Sequence, residues 1–316
     1  MRLRAFVIGL LCASGCVVRV EPTGGDAQPA AGRGALGGAG DGARTPATDV
    51  DACAAAVTRA PTSFRVMTWN LEWFADPQHG PTDEAVQEDG VVALLDRWHP
   101  DLVALQEVTD AKAFARVAGR LAGMHGVIAT SPAPQKLALL HAASRFEFDA
   151  VEEIAGLDDA GRPPLHITLH DRASDATLHV VVIHAKAGRD VTDWTRRRTF
   201  AEGLARVLAR EPAGEALILL GDFNDRIGAN DSIVAGFASP YAPLLNDGGY
   251  TTPTAELDAS STSWGAIIDH IVVDNSLAPS IDRTSVEVVR QDALAHAPDF
   301  LDQVSDHFPV TLELAP

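Results

Sequence analysis

The sequence predicts an α+β fold of four layers, in which two packed mixed β-sheets are flanked by helices. Three observations predict it. Short aliphatic runs such as LILL from Leu217 end abruptly at glycine and acid, as strands buried on both faces do. Two strand-like segments, LHITLH and TLHVVVIHAK, are separated only by DRASDA, a polar loop of hairpin length, so that pair is antiparallel. Helix-like segments are interspersed irregularly among the strands, which suggests two sheets packed together with helices outside.

The elements follow in order. FRVMTWNL, from Phe64 to Leu71, alternates apolar and polar residues as a first strand, and Thr82 to Trp98 then shows helical spacing with acids in its opening turn. Pro100 stops that helix. DLVALQEV from Asp101 reads as a buried strand, the segment from Thr109 as a helix closing at glycine, and KLALLH from Lys136 as another strand. After the hairpin come a helix from Thr192 to Arg210, the strand ALILLGDFN, a strand IIDHIVV near Ile267 and a terminal strand FPVTLELA.

The ends and the charge bound the organisation. MRLRAFVIGLLCASGC carries two early arginines, a short apolar stretch and small residues before Cys16, the pattern of a secretory signal over 1–16. Its end is similar to a bacterial lipoprotein signal, with Cys16 as the lipidated residue; the alternative is a plain cleaved signal. Residues 17–61 are rich in Gly, Ala, Pro and Thr without apolar periodicity and read as a tether, with a span of about 40 Å if it is a flexible coil. With Cys12 removed and Cys16 acylated, Cys53 alone remains, so no intramolecular disulfide is expected. Residues 62–316 form one domain, expected to be exported and monomeric. The formal net charge of −18 argues against binding through a broad basic surface. It leaves a phosphate substrate open where divalent cations neutralise charge locally, so metal dependence is expected.

Residues with ligand or proton-transfer chemistry recur at the strand ends: Asn70 in TWNLEW, Glu107 in LQEV, His184 in IHAKAG, Asp222 and Asn224 in GDFND, Asp269 in IIDHIVV, and Asp306 and His307 in SDHFPV. Singly, each has an ordinary explanation as a turn, a solvated edge or a structural histidine. Their joint occurrence at one kind of position argues for a site. No HExxH or paired-cysteine zinc pattern competes.

TWN, LQEV, HAKAG, GDFND, IDHIVV and SDHFPV, in that order and spacing, resemble the endonuclease/exonuclease/phosphatase superfamily of deoxyribonuclease I-like proteins. The resemblance runs from about residue 64 to the end and implies a two-sheet sandwich and metal-assisted hydrolysis of a phosphoester. It makes Glu107 the principal ligand of Mg²⁺, with Mn²⁺ as an alternative, and Asp306 a further metal position. Asn70 supports that metal or binds a phosphate oxygen. His307 is general base toward water or donor to a phosphoryl oxygen, with Asp269 orienting it. Asp222 accepts a proton from water or stabilises a second metal, Asn224 donates to the phosphate, and His184 stands near the phosphate or leaving group. The acid that such a resemblance pairs with His184 has no assignable counterpart in the sequence. Glu72 reads as a solvated strand end, with the partner acid of His184 or a supporting residue of the site as its alternatives; Arg196, Arg197 and Arg198 read as a solvated helix face, Arg189 as a residue within reach of a phosphate, and Trp264 as a rim or core residue, with stacking on a base or sugar as its alternative. The expected activity is an extracytoplasmic phosphodiesterase acting on nucleic acid; a sphingomyelinase-like lipid or inositol phosphate phosphoesterase and a noncatalytic binding domain are the alternatives.

Overall fold

The computed structural model describes residues 18–20 and 62–316, apart from 158–160, 211–213, 229–230 and 246–248. The expected signal, Cys16, Cys53 and all but three residues of the expected tether lie outside the described residues. The strands are β1 (Val18–Val20), β2 (Phe64–Phe74), β3 (Leu102–Val108), β4 (Met124–Ile128), β5 (Lys136–Ala142), β6 (Phe146–Glu153), β7 (Leu165–Asp171), β8 (Ala176–His184), β9 (Ala216–Asp222), β10 (Tyr250–Thr251), β11 (Asp269–Asp274), β12 (Ile281–Val288) and β13 (Val310–Leu314). The helices are α1 (Glu84–Trp98), α2 (Ala111–Arg120), α3 (Val191–Leu208), α4 (Ala242–Leu245), α5 (Arg290–His296) and α6 (Phe300–Gln303).

Two mixed sheets form, in the orders β1-β4-β5-β3-β2-β13-β12 and β10-β11-β9-β8-β7-β6. Among the described residues only β2/β3 and β8/β9 are parallel pairs, linked by crossovers carrying α1 and α3; the expected β7/β8 hairpin is antiparallel. The apolar side chains divide into three cores, as a four-layer sandwich requires. Val66, Leu139, Ile167, Val180, Leu220 and Leu312 fill the space between the sheets. Trp69 and Leu105 of the first sheet share a core with Leu95 of α1 and Phe114 of α2, and Leu219 of the second sheet shares one with Phe200 and Leu204 of α3.

Local chemistry explains the boundaries. Helix α1 starts at Glu84 because the Asp83 carboxylate accepts from the amides of Ala85 and Val86, and α2 is capped in the same way by Asp110. The expected starts at Thr82 and Thr109 lie just outside these caps. Helix α1 ends at His99, which takes a left-handed conformation before Pro100. In LILLG, Gly221 has φ +143°, and a Cβ there would stand 2.0 Å from the Ile183 carbonyl oxygen of β8. The glycine therefore permits close contact between the two parallel strands whose ends form the site. Strands β1, which falls within the expected tether, β4, β6, β10 and β12 have no sequence expectation. β6 and β12 lie at sheet edges, where β6 exposes Glu147, Asp149 and Glu152 and β12 exposes Asp282, Arg283, Thr284 and Glu287, so their apolar signal is weak. No helix among the described residues is long and apolar enough to cross a membrane.

Candidate active site

The two parallel pairs point their carboxyl ends at the same place. In β2, β8, β9 and β11, the residues facing the other sheet alternate along the strand, and at one end each row turns polar. Val66 leads to Thr68 and Asn70, Val180 and Val182 to His184, Ile218 and Leu220 to Asp222, and, from the other direction, Val273 and Ile271 to Asp269. Pairing sets them abreast, with His184 opposite Asp222 and Asp222 opposite Asp269. The site is thus the polar continuation of the inter-sheet core.

Other groups arrive by leaving the alternation. In β3 the row continues to Gln106, which is buried and bonded to the Thr68 hydroxyl. Glu107 reaches the site because its backbone is left-handed, with φ +60°. Asn224 has φ +51°, and Glu72, Trp73 and Ala75 have φ +49°, +53° and +64°. Each such non-glycine residue costs about 1–2 kcal/mol, so the fold must hold them in place. Gln87 of α1 does so at the end of β2: its Nε2 donates to the Leu71 carbonyl at 2.8 Å and the Val304 carbonyl at 3.1 Å, and its Oε1 accepts from the Ala75 amide at 3.0 Å. Gly80 also packs there, where a Cβ would lie 2.4 Å from the Glu72 carbonyl oxygen.

The site is cross-linked. Asn70 Nδ2 donates to Glu107 Oε1 and Asp222 Oδ2, both at 3.0 Å, while its Oδ1 accepts from the Glu72 amide. Glu107 Oε2 also accepts from the Trp73 amide at 3.0 Å and from Gln135 Nε2 at 2.6 Å. The Asn224 amide donates to Asp222 Oδ1 at 2.8 Å, and the Asn224 side chain to the Ala185 carbonyl at 3.1 Å. His184 Nε2 stands 3.5 Å from Asp222 Oδ2 and 3.7 Å from Glu107 Oε1. Its Nδ1 is buried without a hydrogen-bond partner. Burial, then Arg162 and His307, hold its pKa well below the usual value, so this ring is neutral.

His307 Nδ1 meets Asp269 Oδ2 at 2.7 Å, and the Ser260 hydroxyl donates to the same oxygen at 2.7 Å. Burial opposes charge on this imidazole, but Asp269, with Asp222 and Asp306, outweighs it and raises the pKa to about 10. Asp222 is pushed up to about 7 by burial and by the charge of Asp269. Glu72 also rises to about 7, through burial, the nearby charge of Asp306 and, more weakly, Glu107. It accepts the Asp306 amide at 2.8 Å, and Ser263 Oγ donates to Asp306 Oδ2 at 2.5 Å.

These groups surround a cavity of about 330 Å³ whose lining includes Glu72, Glu107, Asp222 and Asp306 but no lysine or arginine. A cavity in which four carboxylates face one protonated imidazole, that of His307, and no lysine or arginine fits a hard divalent ion, which prefers oxygen ligands. Asp222, Asp269 and His307 also bring one ligand atom each within 4.8 Å of one another. The Asp269–His307 hydrogen bond, however, suits that group to proton handling.

All eight residues singled out in the sequence, Asn70, Glu107, His184, Asp222, Asn224, Asp269, Asp306 and His307, converge here. Two expectations are corrected. Glu72 is a half-buried member of the site. Arg197 is fully buried: its Nε donates to Asp225 Oδ2 at 3.0 Å, and its Nη1 to the Lys186 and Gly188 carbonyls, tying the HAKAG loop to GDFND. The helix-face reading fits the exposed Arg196 and the half-exposed Arg198, which pairs with Glu202. Arg189 is engaged with Trp264, its guanidinium 4.8 Å over the indole and its Nη2 on the Trp264 carbonyl. Gln87, Gln135 and Ser260 were missed, because a lone amide or hydroxyl carries no motif.

The family model for the endonuclease/exonuclease/phosphatase family matches residues 67–307. Among solved structures, humanized D. rerio TDP2 aligns with a TM-score of 0.61 at 15% identity, covering 81% of this chain and 100% of that one. The 3'-5' exonuclease NExo from Neisseria meningitidis aligns at 0.60 and 20% identity, covering 80% and 100%. The human Nocturnin catalytic domain with bound sulfate aligns at 0.58 and 20% identity, covering 80% and 94%. No curated protein matches the chain by sequence.

Proposed function

The chain belongs to the endonuclease/exonuclease/phosphatase family, and we propose that it is a Mg²⁺-dependent phosphodiesterase acting on nucleic acid. The observation that carries this reading is the Asp269–His307 pair at 2.7 Å, set at a carboxylate-rich cavity with Glu107 and Asp306. Two neighbours support nucleic acid: one is named a 3'-5' exonuclease, and TDP2 also appears complexed with single-strand DNA product.

Glu107 and Asp306, with Glu72 and Asn70, would hold the cation, which when bound neutralises phosphate charge and the developing alkoxide. The chain's own groups do the rest. Asn70 bridges Glu107 and Asp222 and so fixes the distance between the acid-rich end and the buried end. Asp269 holds His307 as an imidazolium that donates to a phosphoryl oxygen. Asp222, aligned by the Asn224 amide and poised near neutrality, takes the proton of the attacking water. The neutral His184 ring offers Nε2 beside the same acids.

A lipid substrate finds less support. The exposed large apolar side chains among the described residues, Val86, Val191, Leu294 and Leu301, do not line the cavity. The test is hydrolysis of DNA, offered both as plasmid and as single strand, and of bis-p-nitrophenyl phosphate by the full chain with Mg²⁺, Mn²⁺ or excess chelator. Chelator-sensitive cleavage of both is expected; cleavage of the small diester alone would move the substrate to other phosphoesters, and cleavage of neither would remove the phosphodiesterase reading. Export and acylation at Cys16 belong to the same proposal on the sequence of residues 1–16. Labelling with a radioactive fatty acid should be lost in Cys16→Ala, and absence of label in the unmutated chain would discard the anchor.

A further inference from the structure

One aromatic pair at the mouth of the cavity has no role in the chemistry above. Trp73 lines the cavity, and His79 stacks on it with ring centroids 4.3 Å apart and planes 22° from parallel. Trp73 belongs to none of the three apolar cores, although Phe74 and Ala75 pack into one of them. Its backbone nonetheless takes a left-handed conformation, and its amide bonds Glu107. The indole is thus set one residue from a metal-end carboxylate by an unfavourable backbone state, with no core packing in return.

The loop after it is built to hold the pair. The Asp76 amide donates to the Trp73 carbonyl at 2.9 Å, His79 Nδ1 meets Asp76 Oδ2 at 3.0 Å, and Gly80 folds back against Glu72. The His79 side chain remains 51% exposed. On the other side of the Glu72–Asp306 contact, Trp264 lines the same cavity with Arg189 over its ring. A flat aromatic surface beside a phosphate-handling site suits a π-faced group next to the phosphate, and bases inside an intact duplex do not present that face.

We propose that Trp73 and His79 form a stacking platform for an unpaired nucleobase adjacent to the scissile phosphate, so that the substrate is single-stranded or frayed nucleic acid. The proposal rests on the phosphodiesterase reading of this site and adds its substrate class. The same stacking chemistry is offered by a free nucleotide, and the test separates the two.

The experiment measures binding, in Mg²⁺, of labelled oligonucleotides to the full chain carrying His307→Ala. A single strand should bind at least about tenfold tighter than the same strand with abasic spacers, and than the blunt duplex. Adding Trp73→Ala, or separately the exposed His79→Ala, should bring the base-to-spacer ratio within about twofold of one, whereas Trp73→Phe should preserve most of it. No preference for bases, or a preference that survives both alanine variants, overturns the platform. A free mononucleotide that competes as well as the strand overturns the strand assignment. Turnover of bis-p-nitrophenyl phosphate by the unmutated chain is read separately. Turnover without base preference removes only the platform, and base preference without turnover removes only the hydrolase reading.

Discussion

The two sheets deliver their strand ends to the site in different ways. From the sheet holding β8, β9 and β11 come His184, Asp222 and Asp269, all in regular alternation and with side chains only 3%, 2% and 0% exposed. From the sheet holding β2 and β3, and from the turn before β13, come Glu72, Glu107 and Asp306. The first two sit on left-handed backbone, and the Glu107 and Asp306 side chains are 14% and 27% exposed. The buried half is suited to proton transfer, which needs fixed distances and a dry surrounding. The open half is suited to a hydrated cation, which needs converging oxygens and a route for water. Asn70 joins the halves by bonding one acid of each.

If this division is correct, variants of the two halves should fail in different ways. The largest effect is expected for Glu107→Ala: turnover should fall by about 10³-fold or more, and the Mg²⁺ concentration for half-activity should rise. Titration of activity with Mg²⁺ checks this, and an unchanged metal requirement would break the comparison. Asp269→Asn should lower turnover by about 10²-fold or more while leaving the Mg²⁺ requirement where it was, because the groups it changes are His307, in orientation and charge, and Asp222, which loses the neighbouring charge that raises its pKa. Gln87→Ala removes the side chain that satisfies the strained end of β2. It should cost about 1–3 kcal/mol in denaturant unfolding and raise the Mg²⁺ requirement several-fold, a smaller effect of the open-half kind.

The smallest effect on activity is expected far from the site. Arg145 Nε and Nη2 hold Asp171 Oδ1 and Oδ2 at 2.6 and 2.9 Å. Burial pushes the Asp171 pKa up, but Arg145, Ser174 and the Ala173 amide outweigh it and leave it below its usual value. A carboxylate with a depressed folded pKa stabilises the protein above its unfolded pKa and loses that contribution as pH falls through the folded value. Asp171→Asn should therefore destabilise by about 1–3 kcal/mol at pH 7, with the gap to the unmutated chain closing below about pH 4 and turnover unaffected. A gap that is constant with pH would remove the charge from the explanation.

The contrast between the halves is also the contrast between what could and could not be read beforehand. His184, Asp222 and Asp269 continue aliphatic rows with a period of two, so the sequence marks them as strand-end residues facing the core between sheets. Glu72 looks in the sequence like any acid after a strand, because nothing local announces three left-handed residues within four positions. Arg197 looked like its neighbours in an arginine triplet; only the packing of α3 on the HAKAG and GDFND loops separates it from Arg196 and Arg198.

By itself the sequence determined the four-layer sandwich, the hairpin within it and the eight polar residues of the site. Alternation, breakers and residue chemistry are local properties of a chain. The tertiary structure alone decided that Glu72 joins the acids, that Arg197 is buried, that Gln87 restrains the strained turn, and that Trp73 stacks with His79 at the mouth. Each of these depends on a backbone angle or a partner distant in the chain, and such contacts arise only when the two sheets and their helices close on one another.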